Sequence, residues 1–160
     1  MYATQNSFPE ASRSQVIDVL QQELADAIDL MMQAKQAHWN VKGPSFIALH
    51  ELFDKVSEES EEYVDLIAER IVQYGSVAEG TVRVAAKRSR LPEYNLTIAD
   101  GREHVRALSG ALANFGASVR HAIDRTDALG DKDTADIFTE ISRGVDKYLW
   151  FVEAHGQAER

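Results

Sequence analysis

"HWNVKGPSFIALHELFD", residues 38 to 54, decides how the rest of the chain is read. It sets one histidine before a break, "NVKGPS", a second after it, and Asp54 four residues further on. Upstream, Ile17, Leu20, Leu24, Ile28 and Met31 recur at three- and four-residue steps, which predicts an amphipathic helix from about Ser14 to Trp39. Gly43 and Pro44 break that helix, and Ser45 is the expected N-cap of a second one. The second helix runs from about Phe46 to Tyr74, and Gly75 stops it. Two helices antiparallel about a turn near residue 42 bring His38 level with Ile47 or His50.

Beyond Gly75, residues 76–98 are a long connection with room for a short helix at Val82–Arg88. Thr97 and Asp100 resemble a capping pair opening a third long helix, which extends through about Thr126. "ALGDKDT" is a turn, and "TADIFTEISRGVDKYLWFVEAHG" is a fourth helix with Ile137, Ile141, Tyr148, Leu149 and Val152 on one broad face. Four long helices with short first and third loops and a long middle connection predict an all-α, ferritin-like four-helix bundle with one crossover. An up-down-up-down bundle has no use for so long a connection. The expected organisation is a flexible N-terminal tail over 1–12, the bundle over 13–156 and a short C-terminal tail over 157–160.

At 160 residues the chain is long enough to bury one sizeable core. Hydrophobic residues at 44% and charged residues at 27% place it with folded soluble proteins rather than disordered ones. No apolar run reaches the ~20 residues of a membrane helix, and no basic-then-apolar leader opens the chain, so a cytoplasmic protein is expected. The absence of cysteine excludes disulfides, thiolate metal sites and cysteine nucleophiles. Any metal must be held by His, Asp and Glu, which favours iron, manganese or zinc. The net charge of −9 opposes counterion-release binding to nucleic acid and attracts cations.

The polar residues of the second helix are informative. His50 and Asp54 are four apart, as are Asp65 and Glu69, so each pair shares a helical face. The pairs point the same way, because eleven residues is close to three turns. They are nevertheless ~16 Å apart along the axis, too far to grip one ion within a single helix. They meet only if a second copy packs antiparallel across a two-fold axis, with His38 joining the His50/Asp54 half. Spacing alone leaves a second reading open, in which these are ordinary solvated positions like "SEESEE" at 57–62. "HELFD" at 50–54 misses the zinc-protease motif because Asp54 replaces its second histidine. His104, His121 and His155 lack partners at ligand spacing and read as surface or packing residues, while Tyr148, Trp150 and Phe151 read as core or interface. Asp127, Asp131, Asp133 and Asp136 cluster at the last turn, where capping and helix-dipole contacts account for part of the acidity.

"HWNVKGPSFIALHELFD", continuing through "DLIAER", and then "DTADIFTEISR" and "DKYLWFVEAH" near the end resemble the Dps family of mini-ferritins, which protect bacterial DNA under starvation and oxidative stress. The resemblance implies a ferroxidase site shared across a two-fold interface, with His38, His50 and Asp54 from one chain and Asp65 and Glu69 from its neighbour. It places Trp39 beside the iron. It further implies a hollow shell of twelve subunits that oxidises Fe(II), preferentially with hydrogen peroxide, and stores ferric mineral; other divalent ions such as zinc can occupy the same ligands. Asp127, Asp131, Asp133 and Asp136 become candidates for negatively charged iron-entry pores, Asp133 and Asp136 the better ones. Ordinary ferritins use Glu-x-x-His within one bundle, and no Glu stands three residues before any histidine here. The family name also raises DNA binding as an alternative primary role. Met1–Ser12 holds no Lys or Arg, and twelve copies at −9 carry about −108, so DNA binding is expected to be weak, with Arg83, Lys87, Arg88 and Arg90 of the crossover as the candidate contacts.

Overall fold

The computed structural model describes residues 2–157. Its helices are α1 (Glu10–Asn40), α2 (Phe46–Gln73), α3 (Val82–Arg88), α4 (Gly101–Ala128) and α5 (Lys132–Gln157). α1 pairs with α2 and α4 with α5 as two hairpins; α1 against α4 and α2 against α5 close the bundle, and α3 lies on α1. This is the expected ferritin-like bundle with its crossover between the second and third long helices. Among the described residues no helix is long and apolar enough to cross a membrane.

Side chains from all four long helices fill the core: Leu20 and Leu24, Phe53 and Ile67, Leu108 and Phe115, and Phe138 and Ile141 are fully buried. Each contributes roughly 1.5–3 kcal/mol of transfer free energy, which holds hairpins whose individual helices would fray alone. At one level a side chain of α2 packs directly against the backbone of α5. A Cβ on Gly144 of α5 would lie 2.0 Å from the Tyr63 hydroxyl of α2, so this glycine is the notch that admits the phenol.

Several boundaries differ from those the sequence predicts, each for a local reason. α1 starts at Glu10, directly after Pro9, so Glu10–Ser12 belong to the bundle rather than to a tail. The residues before it are tied down: the Tyr2 N–H donates to the Gly75 carbonyl at 2.6 Å, and Phe8 stacks on Tyr74. Of the expected C-terminal tail, Gln157 ends α5 and the rest lies outside the described residues. Ser45 holds the N-cap position of α2 without a side-chain cap bond; Gly43, at φ +112°, turns the chain there and accepts from the Phe46 N–H at 3.1 Å. The cap of α4 is Asp100 itself, which accepts from the Arg102 N–H at 2.9 Å, whereas the Thr97 hydroxyl turns back to Asn95. A bridge from Lys42 to Asp100 ties the α1–α2 turn to the start of α4.

Candidate metal centre

His38 is in the last turn of α1 and His50 in the second turn of α2, and the hairpin brings their rings into a stack with centroids 3.7 Å apart. The two are locked reciprocally. His38 Nδ1–H donates to the His50 carbonyl at 2.7 Å, and His50 Nδ1–H donates to the His38 carbonyl at 2.8 Å. The His38 carbonyl belongs to the last turn of α1, where carbonyls have no intrahelical partner, so the His50 bond also caps that helix. A carbonyl can only accept, so each Nδ1 carries a proton, and in the neutral ring the lone pair is on Nε2. Orienting an imidazole through its distal nitrogen is how proteins fix a metal-binding tautomer.

Asp54 lies one turn beyond His50, with a carboxylate oxygen 4.0 Å from His38 Nδ1. Lys35 of α1 pairs with it, and that hydrogen bond holds the Asp54 carboxyl below the usual carboxylate range. Two imidazole nitrogens and a carboxylate are a donor set suited to ferrous iron or zinc. Around them the surface is apolar and open: Trp39 is 61% exposed, Ile47 61% and Phe46 39%, with the Phe46 ring 5.1 Å from that of His50. Asp65 and Glu69 are exposed on α2, away from this cluster. Among the described residues no three His, Asp or Glu side chains of one chain converge closely enough to hold an ion.

Lys35 was not predicted. A signal for it existed: in the α1–α2 hairpin, positions whose numbers sum to about 88 lie level, as 38 and 50 do, and 35 and 54 nearly satisfy the same rule.

The acidic turn is less uniform than its sequence. Asp127, Asp133 and Asp136 are exposed, with Asp127 paired to Lys132. Asp131 is 3% exposed and faces inward, which removes it from the candidate pore lining. It caps α5 through the Thr134 N–H at 3.0 Å, pairs with Arg70 at 3.1 Å and accepts from the Tyr74 hydroxyl. Burial works against its ionisation, but the bonds from Thr134 and Tyr74, with Arg70 behind them, outweigh that and hold its carboxyl low.

The basic crossover is corrected in the same way. Arg90 reaches Glu23 at 2.7 Å and Asp26 at 2.5 Å, two carboxylates of α1 that are almost wholly buried. Arg88 pairs with Glu79. Arg90 is thereby committed within the subunit, because buried carboxylates require a cation, whereas Arg88 and Glu79 form a surface pair with side chains 39% and 46% exposed. Arg83 and Lys87 remain exposed. Of the other histidines, His121 and His155 are exposed and His104 is buried in packing, as expected.

A model of the ferritin-like domain matches residues 17–160. The chain is 44% identical over 156 residues to the DNA protection during starvation protein of Agrobacterium fabrum, covering 98% of this chain and 96% of that one. Among solved structures, it superimposes on the Dps of Mycobacterium smegmatis with a TM-score of 0.90 at 31% identity, covering 96% of this chain and 93% of that one. It also matches the Dps of Microbacterium arborescens, solved in a high iron form, with a TM-score of 0.84 at 33% identity over 95% and 97% of the two chains.

Proposed function

The chain belongs to the Dps family of ferritin-like proteins, and from that premise we propose that it is a ferroxidase and iron store whose site is completed by a second copy. His38, His50 and Asp54 of one chain face Asp65 and Glu69 of its two-fold partner. The observation that carries this reading is the locked histidine pair. Both Nδ1 atoms are bonded to carbonyls, which leaves Nε2 as the donor atom of each neutral ring, with the Asp54 carboxylate nearby, inside an apolar rim of Trp39, Phe46 and Ile47 that one chain leaves uncovered. A C₂ contact buries that rim and forms two sites at once.

Fe(II) is the substrate. The imidazoles hold the ferrous ion, while Asp54, Asp65 and Glu69 favour the ferric state and so lower the potential for oxidation. Hydrogen peroxide is the preferred oxidant, taking one electron from each of two ferrous ions so that hydroxide rather than hydroxyl radical is the product. Twelve subunits form a shell in the cytoplasm, ferric mineral collects inside, and exposed Asp133 and Asp136 draw iron toward the entry pores. Zinc competes for the same ligands.

Anaerobic Fe(II) loading followed by peroxide, with the ferric absorbance followed in the near ultraviolet, tests this. Wild type gives a fast rise; His38→Ala and Asp65→Ala each reduce it at least tenfold. A rise of unchanged rate in both variants would refute the site.

The relatives' name favours a second reading, DNA protection by direct binding. Against it stand a charge of −9 per chain, an N-terminal segment without Lys or Arg that is bonded to Gly75, and a crossover arginine, Arg90, committed to two buried carboxylates. DNA binding is accordingly weak and salt-sensitive, and a gel shift at physiological salt showing tight plasmid compaction by metal-free protein would overturn that.

A further inference from the structure

Next to the hairpin that carries the candidate metal centre lies a hydrogen-bonded pair, a buried histidine and a half-buried tyrosine, that none of this chemistry uses. His104 of α4 is 1% exposed, and its Nδ1 is 2.7 Å from the hydroxyl of Tyr94 in the crossover. Burial pushes the His104 pKa down, so the ring is neutral, and it pushes the Tyr94 phenol up, so the phenol keeps its proton. Next after burial and the nearby Glu103 charge, the Asn40 backbone favours a proton on the His104 ring. Nδ1 is occupied by Tyr94, so that proton sits on Nε2, which makes no hydrogen bond of normal geometry. Tyr94 O–H is therefore the donor and His104 Nδ1 the acceptor.

The pair adjoins residues that neighbour the proposed iron ligands in the chain. Asn40 is two residues past His38, and the Phe53 ring, directly before Asp54, is 6.3 Å from that of His104. No other tyrosine is so equipped. Tyr63 and Tyr148 reach only Glu59, each at 3.4 Å. Tyr74 donates to Asp131, a poor base because Arg70 and Thr134 already stabilise its ionised form. Tyr2 is largely exposed.

We propose that Tyr94 and His104 form a proton-coupled electron donor that reduces hydroxyl radical formed when a single Fe(II) meets peroxide at the neighbouring site. The inference rests on the ferroxidase reading. One Fe(II) and H₂O₂ give Fe(III), hydroxide and hydroxyl radical. The radical takes one electron from the Tyr94 phenol and becomes hydroxide, while the phenolic proton moves along the hydrogen bond to His104 Nδ1. A neutral phenoxyl radical and an imidazolium remain. A second Fe(II) returns an electron to the phenoxyl, His104 returns the proton, and Fe(III) forms. The sum is two Fe(II) and one H₂O₂ to two Fe(III) and two hydroxides, with no radical released. Coupling the two transfers matters because a phenol cation on half-buried Tyr94 would be a poorly solvated charge.

The test loads the assembled protein with one Fe(II) per site, adds peroxide and freezes samples within milliseconds for electron paramagnetic resonance, with ferric absorbance read in parallel. Wild type is expected to show a tyrosyl radical. Tyr94→Phe abolishes it, leaves the iron oxidation rate within about twofold, and releases several-fold more hydroxyl radical to a spin trap. His104→Gln, which keeps the phenol and removes the base, lowers the radical yield at least fivefold. Iron oxidation with no radical in wild type, or with an unchanged radical in Tyr94→Phe, overturns the proposal. Failure of wild type to oxidise iron instead refutes the ferroxidase reading. An iron-free arm then decides on the pair alone: flash-quench oxidation with a photoexcited ruthenium complex must give a tyrosyl yield that falls in Tyr94→Phe, and an equal yield counts against the pair.

Discussion

An imidazole binds a metal ion through one nitrogen only while the other holds the proton, and in water the two tautomers exchange freely. In this chain the backbone removes the choice, because each histidine of the pair gives its Nδ1 proton to the other's carbonyl. Asp54 is different, since its carboxylate already has a cation in Lys35, and an arriving metal must compete with that ammonium. Two unit charges at contact distance interact by about 1 kcal/mol in water and about 4 kcal/mol near a protein surface. Both side chains are about one-third exposed, at 33% and 34%, so the lower part of that range applies. Lys35→Met is therefore expected to tighten Zn(II) or Co(II) binding by about tenfold, or ~1.4 kcal/mol. Isothermal titration of metal-free protein checks this; unchanged affinity would mean the ammonium swings aside without cost. The cluster was legible in the sequence because helical rise and one turn bring His38, His50 and Asp54 together. Lys35 and the carbonyl locks depend on rotamers and on the register between two helices, which periodicity within one helix does not contain. Arg90 is a similar case. Glu23 and Asp26 fall within the apolar stripe of α1, which demands a cation, but the stripe does not say that the cation arrives from residue 90.

The elements hold their places through a few close fits rather than through uniform packing. Gly144 is where α5 admits Tyr63 of α2, with a virtual Cβ 2.0 Å from the hydroxyl and 3.0 Å from the ring carbon bearing it. Gly144→Ala is therefore expected to destabilise the fold by ~1–3 kcal/mol in urea unfolding, as overpacking does. Adding Tyr63→Phe removes the atom of worst overlap and should recover part of the loss, so a double-mutant cycle that shows strict additivity would exclude this contact as the cause. The turn from α4 to α5 is held electrostatically. Asp131 has a folded pKa below its unfolded one, so its contribution is present above the unfolded value and disappears as pH falls through the folded value. Asp131→Asn leaves Arg70 buried without its counter-ion and is expected to cost ~3 kcal/mol at neutral pH. The gap between wild type and variant should narrow below about pH 4, where wild type loses the same charge. Denaturant titrations at a series of pH values measure it, and a gap independent of pH would assign the cost to packing. The sequence groups four aspartates at this turn and favours Asp133 and Asp136 for the pore, but only the fold separates the buried cap Asp131 from the three exposed ones.

At the scale of the whole molecule the proposed chemistry requires two chains, and that requirement can be separated from every intrachain alternative by mixing broken copies. His38→Ala destroys the half-site of histidines and Asp54, whereas Asp65→Ala destroys the carboxylate half. Each variant assembled alone has no intact site. Unfolded, mixed in equal amounts and refolded, random pairing makes half of all two-fold pairs mixed. In a mixed pair both defects fall on one site, and the other site draws its histidines from the Asp65→Ala chain and its carboxylates from the His38→Ala chain. One site in four is then whole, so ferroxidation should return to about a quarter of the wild-type rate. A site built within one chain predicts no recovery, because every chain carries a defect. The size of the recovery also reports on assembly. If pairs formed before mixing do not exchange, activity stays near zero without refolding and rises only after it, and the refolding time course of ferric absorbance then measures how the two-fold contact forms. Recovery absent after refolding, with oligomer mass restored, would overturn the two-fold assignment.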